Sequence, residues 1–405
     1  MALKVVNKFV PRNRKLKERI VSLLGMSTIS ISIALLATWL IRPGAILEES
    51  DLRLSDWLTT LMVDKVSLQR DDIVLITVDD RTLTHYEYTQ PTSRTLLASL
   101  INAAAQAEAS VIGLDVAVLR QTETRADGLL EKTIRAANVP VVVAAVDERS
   151  GLDSASARYQ RRFLEKSGAT PGHAYFQRTE YAFDLGDDVV RNSASHSASS
   201  EFPVSFAEQL ASVRRPVSLI GGDPIAWQTR DNAAASALFR SFTVQPHTPP
   251  GDEGQLLEAD TLIPKALMAF VKDRIVIIGG DYRGVDQHLT PLSLTDSGLF
   301  PGHFIHAQLV AQLLDERTLA SLSGLATLLL LTLLAIVGLH VGQSGTSRWV
   351  DLCVGLTAIL MTLYVGAKHG YILPSEMMLA WTLSLSVAKA SKLAIITMLR
   401  KGAKV

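Results

Sequence analysis

Residues 274–293 read RIVIIGGDYRGVDQHLTPLS. Four branched apolar residues in succession, Ile275 to Ile278, leave no polar face for solvent, and Gly279, Gly280 and Asp281 end the run. A strand that is apolar on both sides belongs inside a parallel sheet covered by helices on both faces, with the polar residues after it at the carboxyl end, where such sheets bind ligands. Three upstream runs have the same character: IVLITV at 73–78, VIGLDVAV at 111–118 and VPVVVAAV at 139–146. Apolar residues at helical spacing predict helices over 94–107, 128–136 and 205–212. The alternation predicts an α/β domain, a largely parallel sheet flanked by helices.

The residues that follow these runs are polar. Asp79 and Asp80 end the first, Asp115 interrupts the second, and Asp281, Asp286, His288 and Thr290 come after the last. In a parallel sheet these carboxylates reach one rim together with Arg94, which opens a helix. The rim then serves as a cation site or as a salt-bridged clamp, or its members cap helices and close turns, the commoner use of Asp there. His303 and His306, three apart behind Pro301 and Gly302, are expected at the start of a helix whose IHAQLVAQLL packs on the sheet. Drawn together with Asp286 and His288 they make only a loosely spaced metal set.

Charge is divided along the chain. Its 405 residues carry 40 basic and 40 acidic side chains, yet residues 1–20 and 321–405 hold 14 of the bases and 3 of the acids, so ends of net +11 flank a centre of net −11. Such a split excludes a nucleic-acid binder built on the globular part and a disordered acidic chain. The single cysteine, Cys353, excludes an intramolecular disulfide and a cysteine-based zinc site.

Residues 20–41, IVSLLGMSTISISIALLATWLI, contain no charge and follow a basic stretch, 1–19. This is the pattern of a retained signal anchor with a cytoplasmic N-terminus, longer than the apolar part of a cleaved signal peptide. Three further apolar stretches, 319–341, 350–367 and 371–388, predict a hairpin stack that returns the basic tail, 389–405, to the cytoplasm. Four transmembrane helices, one before and three after the segment 42–318, place that segment outside the cytoplasm. Glu376 is expected near the outer interface of the last span.

Several segments, in their order, resemble the CHASE2 family, extracellular sensory domains associated with cyclases and histidine kinases. They are Asp51 to Asp56, IVLITVDDRTL at 73–83, Pro91 to Arg94, VIGLDVAV, Asp188 to Arg191, Ser205 to Ala207, the opening stretch at 274–293, and FPGHFIHA at 300–307. One span before the domain and three after it complete the likeness, which covers nearly the whole chain. Gln90 stands where the family commonly has tryptophan, and Asp188 where it has glycine. Family members typically continue into an output domain after the last span, so the resemblance implies a sensor that relays its stimulus to a separate cytoplasmic effector.

The expected function is thus that of a bacterial inner-membrane receptor, without catalysis of its own and without nucleic acid. Its expected partners are membrane lipids, a second copy or higher homo-oligomer, an effector protein, and an extracytoplasmic ligand of unknown chemistry; no cofactor is identified. Asp79, Asp80, Arg94, Asp115, Asp281, Asp286, Thr290 and His306 are the candidate ligand-binding or signalling residues. Two alternatives stay open: an extracytoplasmic hydrolase using Asp79, Asp80, Asp115 and Asp286 around a divalent cation, and a scaffold for another envelope protein.

Overall fold

The structure, a computed structural model, describes residues 25–39, 45–178, 188–194, 200–217, 222–231, 233–249, 254–282, 286–296, 298–319, 323–344, 353–357, 360, 364 and 374–402. The chain forms two units, residues 59–319 and the remainder on either side. At the centre of the first is a six-stranded sheet. In chain order its strands are β1 (Arg70–Asp79), β2 (Val111–Asp115), β3 (Val141–Ala145), β4 (Thr170–His173), β5 (Phe239–Thr243) and β6 (Ile275–Asp281). Every pairing is parallel, and the spatial order is β4-β3-β2-β6-β1-β5.

Alternate residues of each strand serve two separate cores. Val74, Ile76, Ile112, Leu114, Val276 and Ile278 face one layer, made by α1 (Arg94–Gln106), α2 (Thr124–Ala136) and α3 (Ser154–Ser167). Ile73, Leu75, Val111, Ile275 and Ile277 face the other, made by α4 (Phe206–Ser212) and α5 (Gly302–Leu314). Right-handed crossovers explain the division: β1 through β4 step in one direction across the sheet, the path to β5 reverses, and β6 is inserted between β1 and β2.

Three expected helices form, with shifted ends. Helix α1 begins where the Ser93 side chain accepts the Leu96 N–H. The second starts four residues before Gly128, at Thr124, and α4 is opened by a capping box between Ser205 and Glu208. Helix α3 is an addition. Its few apolar residues hid it, although the Asp153 N-cap and the left-handed Gly168 C-cap are ordinary helix signals. Strands β4 and β5 are likewise additions, because TPGH and FRSFT lack the Val/Ile run of interior strands.

In the second unit, helices Gly25–Trp39, Gly324–Ser344 and Pro374–Gly402 pack on one another through Ala34, Ala37, Leu331, Leu334, Ala380 and Trp381. Small residues permit close approach: a Cβ on Gly338 would collide with the Ser384 hydroxyl, and one on Gly342 would lie 2.6 Å from the Ala388 Cβ. Among the described residues one helix, Gly324–Gln343, has the length and mean hydropathy, 2.3, to cross a membrane, and Gly25–Trp39 is a shorter apolar helix. Much of 350–367 and parts of 20–41 and 371–388 lie outside the described residues. The tail expected from 389 onward continues the last helix to Gly402, and Glu376 is buried near its start. An unexpected helix, Ala45–Met62, precedes the sheet in sequence.

Candidate functional site

Strand β6 ends between β1 and β2, but the chain leaves it for α5 on one face, whereas β1 and β2 are followed by helices on the other. Neighbouring connections that part in this way mark the carboxyl edge at which such sheets bind ligands. Asp115 ends β2 there, and His303 and His306 occupy the first turns of α5.

His306 Nε2 lies 3.7 Å from Asp115 Oδ1, with both side chains buried. The imidazole is held between Phe176 and Phe206, at ring-centroid distances of 4.5 and 4.9 Å. His303 places Nε2 3.1 Å from the Thr77 hydroxyl of β1 and packs its ring so closely on Gly279 that any Cβ there would overlap it. Asp286 adopts a left-handed conformation, φ 48°. Its carbonyl accepts the Gly302 N–H at 2.8 Å, and its carboxylate occupies the space a Gly302 side chain would need. Glycine is thus required where the acid meets the start of α5, whose dipole favours a negative charge. Asp286 Oδ1 also pairs with His288 Nε2 at 2.9 Å, and the Phe176 ring meets His288 edge-on.

Burial governs protonation here. Desolvation, reinforced by the nearby Asp286, raises Asp115 well above the ordinary carboxylate range. For Asp286, desolvation acts upward, but the hydrogen bond from His288 and the attraction of His288, His306 and His303 outweigh it and leave the group lowered. Its side chain keeps 40% of its exposure, which fits the ionised form. Burial thus favours the neutral form of Asp115, and the histidine contacts favour the ionised form of Asp286. Desolvation pushes His303 down to about 4, against Asp281 and Asp286, and His306 down to about 3, against Asp286. Both rings are neutral near pH 7. Asp115 Oδ2, His306 Nδ1 and the Thr290 hydroxyl are buried without a hydrogen-bond partner.

The remaining candidates lie elsewhere on the edge. Asp79 closes a turn, its Oδ1 accepting from the Thr82 N–H and hydroxyl at 2.8 and 3.0 Å. Asp80 is exposed, and Asp281 accepts from Gln287 at 3.0 Å. The expected rim shared with Arg94 divides. Arg94 is buried beside α2 and faces Asp127, Nε to Oδ1 3.5 Å, an acid the sequence did not single out. Tyr282, the residue after β6, reaches back to the Thr92 hydroxyl at 2.7 Å just before α1. Asp115, Asp286 and His306 are the candidates brought together, joined by His303 and His288. Phe176, in a segment with no chemical motif, was not legible beforehand. Among the described residues no group of three or more His, Cys, Asp or Glu side chains is arranged to hold a metal ion.

Residues 31–340 match the family model of the CHASE2 domain. The chain belongs to the CHASE2 family, a class of extracellular sensory domains. No curated protein and no solved structure matches it significantly. At Asp188, where the resemblance implied glycine, the backbone keeps the left-handed conformation that glycine favours, φ 51°, which aspartate tolerates.

Proposed function

We propose that the chain is a multi-pass inner-membrane receptor whose segment 42–318 faces outward, senses a stimulus at the Asp115–His306 edge of the sheet, and relays it through four transmembrane helices to a separate cytoplasmic effector. Both termini lie in the cytoplasm, and two or more copies assemble in the lipid. The observation that carries this reading is the outer surface of the helical unit. Leu35, Trp39, Leu325, Leu329 and Leu333 are each more than half exposed, while Ala34, Leu331, Leu334 and Trp381 fill the interior. In water such a surface would drive association, whereas lipid tails satisfy it directly. The basic ends of the sequence support the orientation.

Labelling tests the orientation. After Cys353→Ser, single cysteines at the exposed positions Ser154 and Glu201 should react with a membrane-impermeant maleimide in intact spheroplasts. Reaction only after lysis would overturn the outward placement. Affinity purification in mild detergent tests the relay: recovery of a stoichiometric partner bearing a catalytic or signalling domain supports it, and recovery of this chain alone overturns it.

A further inference from the structure

Residues 286–296 cover the buried edge. Beyond Asp286 and His288, the segment is tied down by the Val190 N–H to Leu289 O bond of 2.8 Å and by complete burial of Leu292. Gln287 and His288 pair antiparallel with Pro301 and Phe300, next to the start of α5. Gln287 also donates to Asp281, and the Thr60 hydroxyl donates to Pro291 O at 2.7 Å, in a buried contact. Thr60 lies on helix Ala45–Met62, the element that follows the apolar helix Gly25–Trp39 in sequence.

We propose that protons are the stimulus: residues 286–296 form a latch that stays seated while His303 and His306 are neutral, releases when they take up protons, and passes the release to helix Ala45–Met62 through Thr60. This rests on the sheet edge being the sensory site. His306 is faced by Asp115 from β2, His173 from β4, Asp286 and His288 from the latch, and His303 from its own helix. His303 is faced by Thr77 from β1 and Asp281 from β6, as well as by Asp286. Among the described residues that face the two rings there is no arginine or lysine, and the acidic groups there are Asp115, Asp281 and Asp286, so a second positive charge enters a buried site beside carboxylates alone.

The proton count sets the response. Released imidazoles return to a pKa of about 6.5, so below that pH release takes up two protons. Asp115 opposes them. Burial favours its protonated form while seated, and exposure to water favours its ionised form. Two imidazole protons against at most one from Asp115 leave a net uptake of one to two, so between roughly pH 4 and 6.5 the release equilibrium rises at least about tenfold per pH unit.

Hydrogen–deuterium exchange of the full-length protein in lipid nanodiscs, from pH 7 to 4.5 and corrected for intrinsic exchange, reads this equilibrium in peptides covering 286–296. Asp115→Asn imitates the protonated acid, removes the opposing proton, and should steepen the response to about a hundredfold per unit. His306→Gln imitates the neutral ring and should flatten it. Peptides covering 45–62 should lose protection together with the latch, and Thr60→Val should abolish only that second effect. Equal slopes in the wild type and both site variants would overturn the proposal. So would simultaneous loss of protection in β1 and β6, which would mean general unfolding, or a helix response indifferent to Thr60→Val. If maleimide labelling places the domain outside while the slopes are equal, the receptor stands and the proton is not its stimulus.

Discussion

Replacing Asp127 by asparagine should destabilise the sensory unit more than any change at the exposed carboxylates of the sheet edge. Arg94 is 1% exposed, and desolvation lowers its pKa although Asp127 acts to raise it. Asp127 in turn accepts from the Thr122 N–H and hydroxyl, both at 2.9 Å. The amide of Asp127→Asn keeps the shape of the carboxylate while removing its charge, leaving a guanidinium in the core without its counter-ion. Stranding one member of a buried pair costs about 3 kcal/mol or somewhat more. With a urea dependence of about 3 kcal/mol per molar for a unit of this size, the midpoint should fall by about 1 M. Pulse proteolysis of the full-length protein in mild detergent measures it, because cleavage reports the unfolded sensory unit without requiring the helical unit to melt. Arg94→Met should cost less, since Asp127 keeps its bonds to Thr122. Combining Arg94→Met with Asp127→Leu should recover at least about 1 kcal/mol relative to the sum of the single changes, as contacting residues do. Midpoints within about 0.2 M of wild type for both single variants, on the same urea scale, would refute the buried-pair account and return Arg94 to the list of ligand-binding groups.

Gly279→Ala should destabilise the unit by about 1–3 kcal/mol, because the new methyl would meet the His303 ring and force it from Thr77; urea unfolding measures the loss. In the helical unit, Gly342→Val should loosen the packing of Gly324–Ser344 on Pro374–Gly402, because any Cβ at position 342 would lie 2.6 Å from the Ala388 Cβ; a lower thermal midpoint in mild detergent measures it. Acid should weaken the fold. Because the folded pKa values of His303 and His306, about 4 and about 3, lie below the unfolded value of about 6.5, the unfolded chain binds more protons below that pH. Their stabilising effect is complete above pH 6.5 and declines on acidification towards pH 4 and 3, by up to about 1.4 kcal/mol per unit for each ring. Urea midpoints at pH 7 and 5 should differ accordingly, and His306→Gln should reduce the difference.

The interior strands were legible because physics leaves them little choice. A strand with helices on both faces must be apolar at every position, and β1, β2, β3 and β6 announce themselves as such runs. The edge strands β4 and β5 have one neighbour each and tolerate proline, histidine and arginine, so no run marks them. Helix α3 was obscured for a related reason: it buries only a narrow face, with Phe163 and Leu164 as its large apolar contacts.

The site was legible as a list of polar residues but not as a grouping. Strand order decides the grouping, and insertion of β6 between β1 and β2 is a long-range event without a local signal. Because of that insertion, His303 and His306 arrive from the face opposite Arg94, and Asp115 meets an imidazole instead of a guanidinium. The chemical consequence is large. Beside a buried arginine Asp115 would stay ionised over the accessible pH range, and the edge would be a fixed salt bridge. Beside a neutral histidine, with Asp286 nearby, burial favours its protonated form, which exposure to water would reverse. A change of neighbour set by topology thus separates a structural clamp from a group whose charge depends on conformation.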